Sequence, residues 1–311
     1  MEISIYTWKK VGYILDKVEE LEREFPGLKV NLFEKGDRKE YGISTFIMGV
    51  DMTSEELKGA KEVKEILVPY TGLNQFPVEE IKERGIKIEG SHAKARYVAE
   101  KGFSLLMNIM GRVSEYDTGL REGVWGPRSG MKNHWESLFG KRIGMLGAGH
   151  IGQEFIRLTS PFTGKFAAIE RGKKYPGIET YYSDIGEMAE NVDILFMSLP
   201  MNKYTADIVD EKVLKKFKGY IINVGRGKTI EEKALYEALK NKEIKGAGIE
   251  VWYKYPKGKV ERCLPSDYPF HELDNIIMSP HVATSNIEDR WIYFEDTFEK
   301  LRKLIEKEIG K

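Results

Sequence analysis

The sequence predicts a two-domain α/β chain built on parallel sheets, and three observations carry that prediction. Short apolar runs, of the kind that form strands buried on both faces, alternate with amphipathic helical stretches along most of the chain. One such run, within Arg142-Ile-Gly-Met-Leu-Gly-Ala-Gly-His-Ile-Gly152, ends in the pattern Gly-x-Gly-x-x-Gly. The length, 311 residues, exceeds one typical core and suits two domains.

Taken in order, Glu2 to Tyr6 reads as a strand, and Val11, Leu15, Val18, Leu21 and Phe25 share one stripe of a helix that Pro26 closes. Leu28 to Phe33 is the next strand. Ile43 to Val50, a short helix after Thr53-Ser-Glu-Glu56, the strand Glu65 to Pro69, a helix over Val78 to Arg84 and the strand Ile86 to Glu89 come next. Together they make a first α/β domain, residues 1–92, completed by 287–311 at the C-terminal end. From Ala93 to about Tyr116 apolar residues fall nearly all round one long helix, expected to bridge the domains and to enter a subunit interface.

The glycine pattern opens the second domain's chemistry. Gly147 makes a tight turn, Gly149 lets backbone approach a pyrophosphate, and Gly152 lets helix pack on strand. Exposed N–H groups and the helix dipole then hold phosphates without a basic side chain. Phe166 to Ile169 forms a second strand that presents Glu170, an acid placed to accept from both ribose hydroxyls. The alternation resumes with Val192 to Pro200, Tyr220 to Val224, Gly246 to Trp252 and Asn275 to Ser279. Residues 93–286 therefore read as a dinucleotide-binding domain on a Rossmann-type doubly wound parallel sheet, whose ligands gather at the carboxyl ends of the strands. A last helix, striped by Trp291, Phe294, Phe298, Leu301 and Ile305, is expected to pack back on the first domain.

Composition narrows the function. Lys plus Arg and Asp plus Glu both number 49, so no global field favours nucleic acid or an anionic membrane. One cysteine, Cys263, excludes an internal disulfide and fits a reducing compartment. No basic and apolar leader opens the sequence and no apolar run reaches membrane-spanning length, so a soluble, cytoplasmic protein is expected. Abundant Glu and Lys with only Gln75 and Gln153 as glutamines suggest a thermophilic source. His92, His134 and His271 lack ligand spacing, and no metal is assigned.

Gly147-Ala-Gly-His-Ile-Gly152, Ser198-Leu-Pro200, Asn223-Val-Gly-Arg-Gly227, Gly246-Ala-Gly-Ile-Glu-Val-Trp252 and Ser279-Pro-His-Val-Ala283, in this order and spacing, resemble the D-isomer-specific 2-hydroxyacid dehydrogenases. Tyr70-Thr-Gly-Leu-Asn74 and Val98-Ala-Glu100 sit where that family has its substrate loop and domain-linking helix, so the resemblance covers nearly the whole chain. It implies a smaller flavodoxin-like α/β substrate domain beside the coenzyme domain, a homodimer, and NAD(P)-linked interconversion of a short 2-oxo acid and its D-2-hydroxy acid between the domains. It further implies coenzyme contacts from Gly147, Gly149, His150, Ile151, Gly152, Glu170, Arg171, Leu199, Pro200, Thr205, Val224, Gly225, Arg226 and Glu250.

For the chemistry, Arg226 follows a strand between two glycines and can clamp a carboxylate or the reacting oxygen with paired charge-assisted hydrogen bonds. His281, in the family's Pro-His-x-Ala setting, would exchange a proton with the carbonyl oxygen. Thr71 and Gly72 match the loop whose backbone N–H groups hold the substrate carboxylate, although a plain turn fits them as well. Where the family places a glutamate that keeps the histidine protonated, this chain has Tyr255, a neutral group that can orient an imidazole but not stabilise its charge. The acid could then come from elsewhere, for instance Glu272, Asp274 or Glu288. Glu250 stands where the family has aspartate, and Trp252, Tyr253 and Tyr255 could line an aromatic pocket or simply pack.

Glu170 repels a 2′-phosphate while Arg171, Lys173 and Lys174 could hold one, and the acid's position favours NAD over NADP. The expectation is an NAD-dependent 2-hydroxyacid dehydrogenase acting on glyoxylate, hydroxypyruvate or a similar acid. The alternative is an NAD(H)-sensing, corepressor-like binding protein with vestigial activity.

Overall fold

The computed structural model describes residues 1–73, 75–125, 134–258, 262–285 and 291–310. Asn74 of the expected substrate loop and the candidate acid Glu288 lie outside them. The chain forms two compact units, Met1–Lys94 with Ile287–Lys311, and Ala95–Asn286.

In the first unit five parallel strands, β1 (Glu2–Thr7), β2 (Lys29–Glu34), β3 (Phe46–Met48), β4 (Glu65–Val68) and β5 (Lys87–Gly90), lie in the order β2-β1-β3-β4-β5. That is the flavodoxin-like arrangement. The connecting helices are α1 (Gly12–Glu24), α2 (Ser54–Gly59) and α3 (Val78–Glu83). The short α2 starts where the sequence says it should: Thr53 and Glu56 form a reciprocal capping box. Ile3, Ile5, Met48 and Leu67 share one core with Phe294, Phe298, Leu301 and Ile305 of the C-terminal helix, Ile292–Ile309. The stripe read in that helix is its buried face.

The second unit begins with a departure from the sequence reading. The single helix expected from Ala93 to about Tyr116 is two, α4 (Ala95–Gly111) and α5 (Val113–Arg121), because Arg112 adopts the left-handed conformation at φ 53°. A left-handed residue after the last helical glycine is a usual way to stop a helix. Asn108 Oδ1 then accepts the Ser114 N–H at 3.0 Å, so the first helix stabilises the start of the second. Only α4 buries a face; α5 has no buried residue and leaves Val113 and Leu120 more than half exposed.

The sheet of this unit comprises β6 (Ile143–Leu146), β7 (Phe166–Ile169), β8 (Thr180–Tyr182), β9 (Ile194–Met197), β10 (Tyr220–Asn223), β11 (Gly246–Ile249) and β12 (Ile276–Met278). Helices α6 (His150–Thr159), α7 (Ile185–Asn191), α8 (Glu211–Lys216) and α9 (Glu232–Lys240) connect them. All pairings are parallel, in the order β12-β11-β10-β9-β6-β7-β8, so strand order reverses between β6 and β9. The two-residue period of a strand distributes β9 over two cores: Ile194 and Phe196 face one layer with α4 and α6, Leu195 and Met197 the other with α7, α8 and α9. The three-residue edge strand β8 has no counterpart in the sequence reading.

Phe155 of α6 stacks on Phe196 at a centroid distance of 3.7 Å, both fully buried. Phe155→Ala is expected to destabilise the protein by about 3–5 kcal/mol, measurable as a lowered denaturant midpoint with an unchanged slope. Among the described residues no helix is long and apolar enough to cross a membrane.

Candidate active site

Six of the expected site segments lie at carboxyl ends of the second sheet, on both sides of the point where strand order reverses. After β6, Gly147 takes φ +105°, and a Cβ there would stand 2.7 Å from Ser198 Oγ and 3.0 Å from the Ser198 carbonyl carbon. Ser198 Oγ donates to the Gly147 carbonyl at 2.9 Å, tying the turn to β9. A Cβ on Gly152 would meet the Gly147 carbonyl at 2.3 Å, so the close approach is to the turn itself. Gly149 faces open space, caps α6 and leaves its N-terminus without a side-chain cap; His150 and Ile151 are the helix's first residues.

Glu170 follows β7 and accepts the Gly172 N–H at 2.9 Å. Its other oxygen is ion-paired with Lys174, which turns back on the acid while resting 3.7 Å over the Tyr181 ring. Lys174, itself mostly exposed, is thus engaged by Glu170. These hydrogen bonds hold the Glu170 carboxyl below the usual carboxylate range. A cavity of about 500 Å³ opens beside it, lined by Gly147, Ala148, Arg171, Leu199, Tyr204 and Thr205 among others. Thr205 Oγ1 closes that loop by donating to the Pro200 carbonyl at 2.6 Å and accepting the Asn202 N–H at 2.9 Å.

Arg226 owes its place to Asn223, a residue the sequence reading passed over. The buried Asn223 side chain accepts the Gly225 N–H at 3.0 Å and donates to the Arg226 carbonyl at 3.1 Å, and Thr229 Oγ1 donates to the same carbonyl at 2.7 Å. An asparagine closing a strand before Gly-x-Gly is a turn signal of this kind. Val224 is buried and bonds Met197 of β9, and Gly227 packs so tightly that a Cβ would lie 2.4 Å from the Trp252 carbonyl. Arg226 itself is exposed, and its Nη1 donates to the Gly225 carbonyl at 2.7 Å. The rest of the guanidinium fork remains available for a planar anion.

His281 follows β12 at φ +58°, a conformation uncommon outside glycine that adjoining bonds must sustain. Ala283 N–H donates to Glu250 Oε1 at 2.6 Å and Trp252 Nε1 donates to the Ser279 carbonyl at 2.8 Å, pinning the turn from β11 on both sides of the histidine. Nδ1 of His281 lies 2.9 Å from Tyr255 Oη, which also accepts the Trp252 backbone N–H at 3.0 Å. Tyr255 therefore faces the histidine. Protein packed on one side of the ring, and the Arg226 guanidinium, push His281 below its ordinary 6.5, with Glu250 opposing. The uncharged form of the ring is thereby favoured.

The other candidate acids are elsewhere engaged: Asp274 pairs with Lys242, and Glu272 sits in the 3-10 turn Phe270–Glu272 near His271. Trp252 and Tyr253 pack on Phe270 and belong to the core, whereas Tyr255 is 46% exposed. Thr71 and Gly72 lie in the first unit, where Thr71 Oγ1 donates to the Ser91 carbonyl at 2.9 Å.

The family profile described as D-isomer specific 2-hydroxyacid dehydrogenase, NAD binding domain, matches residues 103–283, more than half of the chain. The chain is also similar to the hydroxypyruvate reductase of Thermotoga maritima, 29% identical over 241 residues that make up 76% of each protein. A crystal structure of a Pyrococcus horikoshii protein superposes with a TM-score of 0.77 at 27% identity, over 98% of this chain and 92% of that one. An NADPH-dependent glyoxylate/hydroxypyruvate reductase of Sinorhizobium meliloti, solved with NADP and malonate, gives 0.68 at 25% identity over 96% and 91%.

An open α/β site with a glycine turn on a helix N-terminus and a cationic turn beside a histidine defines an NAD(P)-linked oxidoreductase. The chain belongs to the D-isomer-specific 2-hydroxyacid dehydrogenase family. It is an enzyme of that class, and the relatives named above do not support the nucleotide-sensing alternative.

The residues present fit a nicotinamide coenzyme. Besides the glycine turn and the adjoining cavity, Glu250 Oε2 is buried without a hydrogen-bond partner among the described residues, and so is Ser279 Oγ. Buried polar atoms of this kind require partners. The carboxamide of a nicotinamide has an N–H to offer the first. Among the described residues no group of three or more His, Cys, Asp or Glu could hold a metal.

Proposed function

We propose that the enzyme reduces a short 2-oxo acid, of the glyoxylate or hydroxypyruvate kind, to its D-2-hydroxy acid with NADH. Reduced nicotinamide supplies the hydride. In this reading Arg226 clamps the substrate carboxylate or carbonyl oxygen, His281 exchanges the proton, Tyr255 orients His281, and the Thr71 and Gly72 backbone N–H groups hold the carboxylate. The observation that carries it is the convergence of Arg226, Glu250 and His281 at three adjacent strand ends, close enough for both charges to act on the imidazole. Coenzyme contacts fall to Gly147, Gly149, His150, Ile151 and Gly152 at the pyrophosphate, to Leu199 and Thr205 along the cavity, and to Pro200, Val224, Gly225 and Glu250 toward the nicotinamide.

Glu170 supports NAD, because its ionised carboxylate repels a 2′-phosphate and accepts from a free ribose hydroxyl. Arg171 beside the cavity is the residue that would serve NADP. A homodimer, assembled through α5 and the residues C-terminal to it, accounts for Val113, Leu120, Val124, Trp125, Trp135 and Phe139, all 43–69% exposed. The test follows NADH and NADPH oxidation by the purified protein against a panel of 2-oxo acids. Saturable turnover with glyoxylate or hydroxypyruvate, at higher kcat/KM with NADH, is the expected result; no turnover with any 2-oxo acid would refute the reading.

A further inference from the structure

Tyr255 Oη stands between two partners, the Trp252 amide at 3.0 Å and His281 Nδ1 at 2.9 Å. A phenol has two lone pairs and one proton. The amide N–H takes one lone pair, leaving the hydroxyl proton and a second lone pair, and the proton meets Nδ1 when Nδ1 is bare. A carboxylate in this place has no proton and obliges Nδ1 to carry one; a phenol supplies its own, so Nδ1 can be bare and the ring proton can reside on Nε2. The charged groups acting on the ring are Arg226, from the turn after β10, and Glu250, from the end of β11. Partial covering of the otherwise exposed ring and the guanidinium outweigh the carboxylate and favour the uncharged ring.

We propose that Tyr255 is a positioning residue that holds His281 as the neutral imidazole protonated on Nε2, and that it passes its own proton to Nδ1 as Nε2 protonates the substrate oxygen. The tautomer rests on the Tyr255 contact together with the groups that favour the uncharged ring; the transfer rests on the reductase reading. As the carbonyl carbon takes up hydride, its π electrons move onto oxygen, an O–H bond forms there and the Nε2–H bond breaks. An Nδ1–H bond forms as Oη–H breaks, and the phenolate keeps the Trp252 N–H. After product leaves, water reprotonates Nε2 and the Nδ1 proton returns to the phenolate, so one proton is consumed per turnover.

The first measurement is nitrogen-15 NMR of histidine-labelled, coenzyme-free protein, with the His281 signals identified by their absence in His281→Gln. Above the histidine's titration the expected ring carries its proton on Nε2; a proton on Nδ1 overturns the assignment, whatever the enzyme turns over. The second is the pH profile of reductive kcat. The parent enzyme should hold its kcat within about twofold between pH 6.5 and 8.5, above the depressed histidine titration. Tyr255→Phe should lose about tenfold over the same range, since its activity then follows the vanishing imidazolium. Parallel profiles for the two proteins overturn the relay. No turnover by the parent with any 2-oxo acid, combined with an Nε2 proton, would sink the reductase reading and the relay while leaving the tautomer in place.

Discussion

Arg226→Ala and His281→Ala should each lose nearly all turnover while binding NADH as the parent does. A positioned proton donor is worth about 10²–10⁴-fold, and a fixed carboxylate clamp about 10²-fold through orientation alone. Both side chains are exposed at the ends of rigid strands, so their removal leaves the supporting bonds intact: the Asn223 side chain still ties Gly225 N to the Arg226 carbonyl, and Glu250 still holds Ala283. The check is kcat/KM with a saturable 2-oxo acid beside a fluorescence titration of NADH. Full turnover in either variant would show that its side chain has another role. A parallel loss of coenzyme binding would place it with the coenzyme instead.

The second large effect is expected at Gly147. Gly147→Ala forces a side chain onto φ +105° and drives its Cβ to 2.7 Å from Ser198 Oγ and 3.0 Å from backbone. Strain of this kind costs about 1–3 kcal/mol, and relief requires moving the turn away from β9. NADH affinity should fall at least tenfold, about 1.4 kcal/mol, whereas Arg226→Ala leaves it unchanged. Near-parental NADH affinity would mean that the turn does not set the coenzyme's position.

A run such as Ile194 to Met197 was legible because it is buried on both faces and has no solvent face to disguise it, and the partly exposed β2 and β5 were legible from their alternation. What escaped was decided by single residues or by distant partners. Nothing in the apolar periodicity from Ala95 to Arg121 marks the reversal of φ at Arg112; only Gly111 hints at it. Edge strand β8 is three residues long and half exposed, too short for a two-residue period to register. At the site, Gly147, Arg226 and His281 were readable because each sits in a local pattern. The Lys174 pairing with Glu170 and the unpartnered Glu250 oxygen depend on where side chains point, which spacing alone does not fix. Tyr255 lay between the two cases: its position in the loop suggested a partner for His281, and the bond to the Trp252 amide that gives the pairing its direction is a property of the fold.

The core shared by β1, β3 and the helix Ile292–Ile309 has a temporal meaning. Ribosomes deliver chain from the N-terminus, and domains ordinarily fold in that order. Here Ile3, Ile5 and Met48 are made long before Phe294, Phe298 and Leu301, yet must wait for them to complete their core. Residues 95–286, by contrast, are contiguous and close their own sheet. The embedded unit can therefore close its sheet without waiting for any later segment, while the unit that surrounds it in sequence stays open until the helix Ile292–Ile309 has left the ribosome.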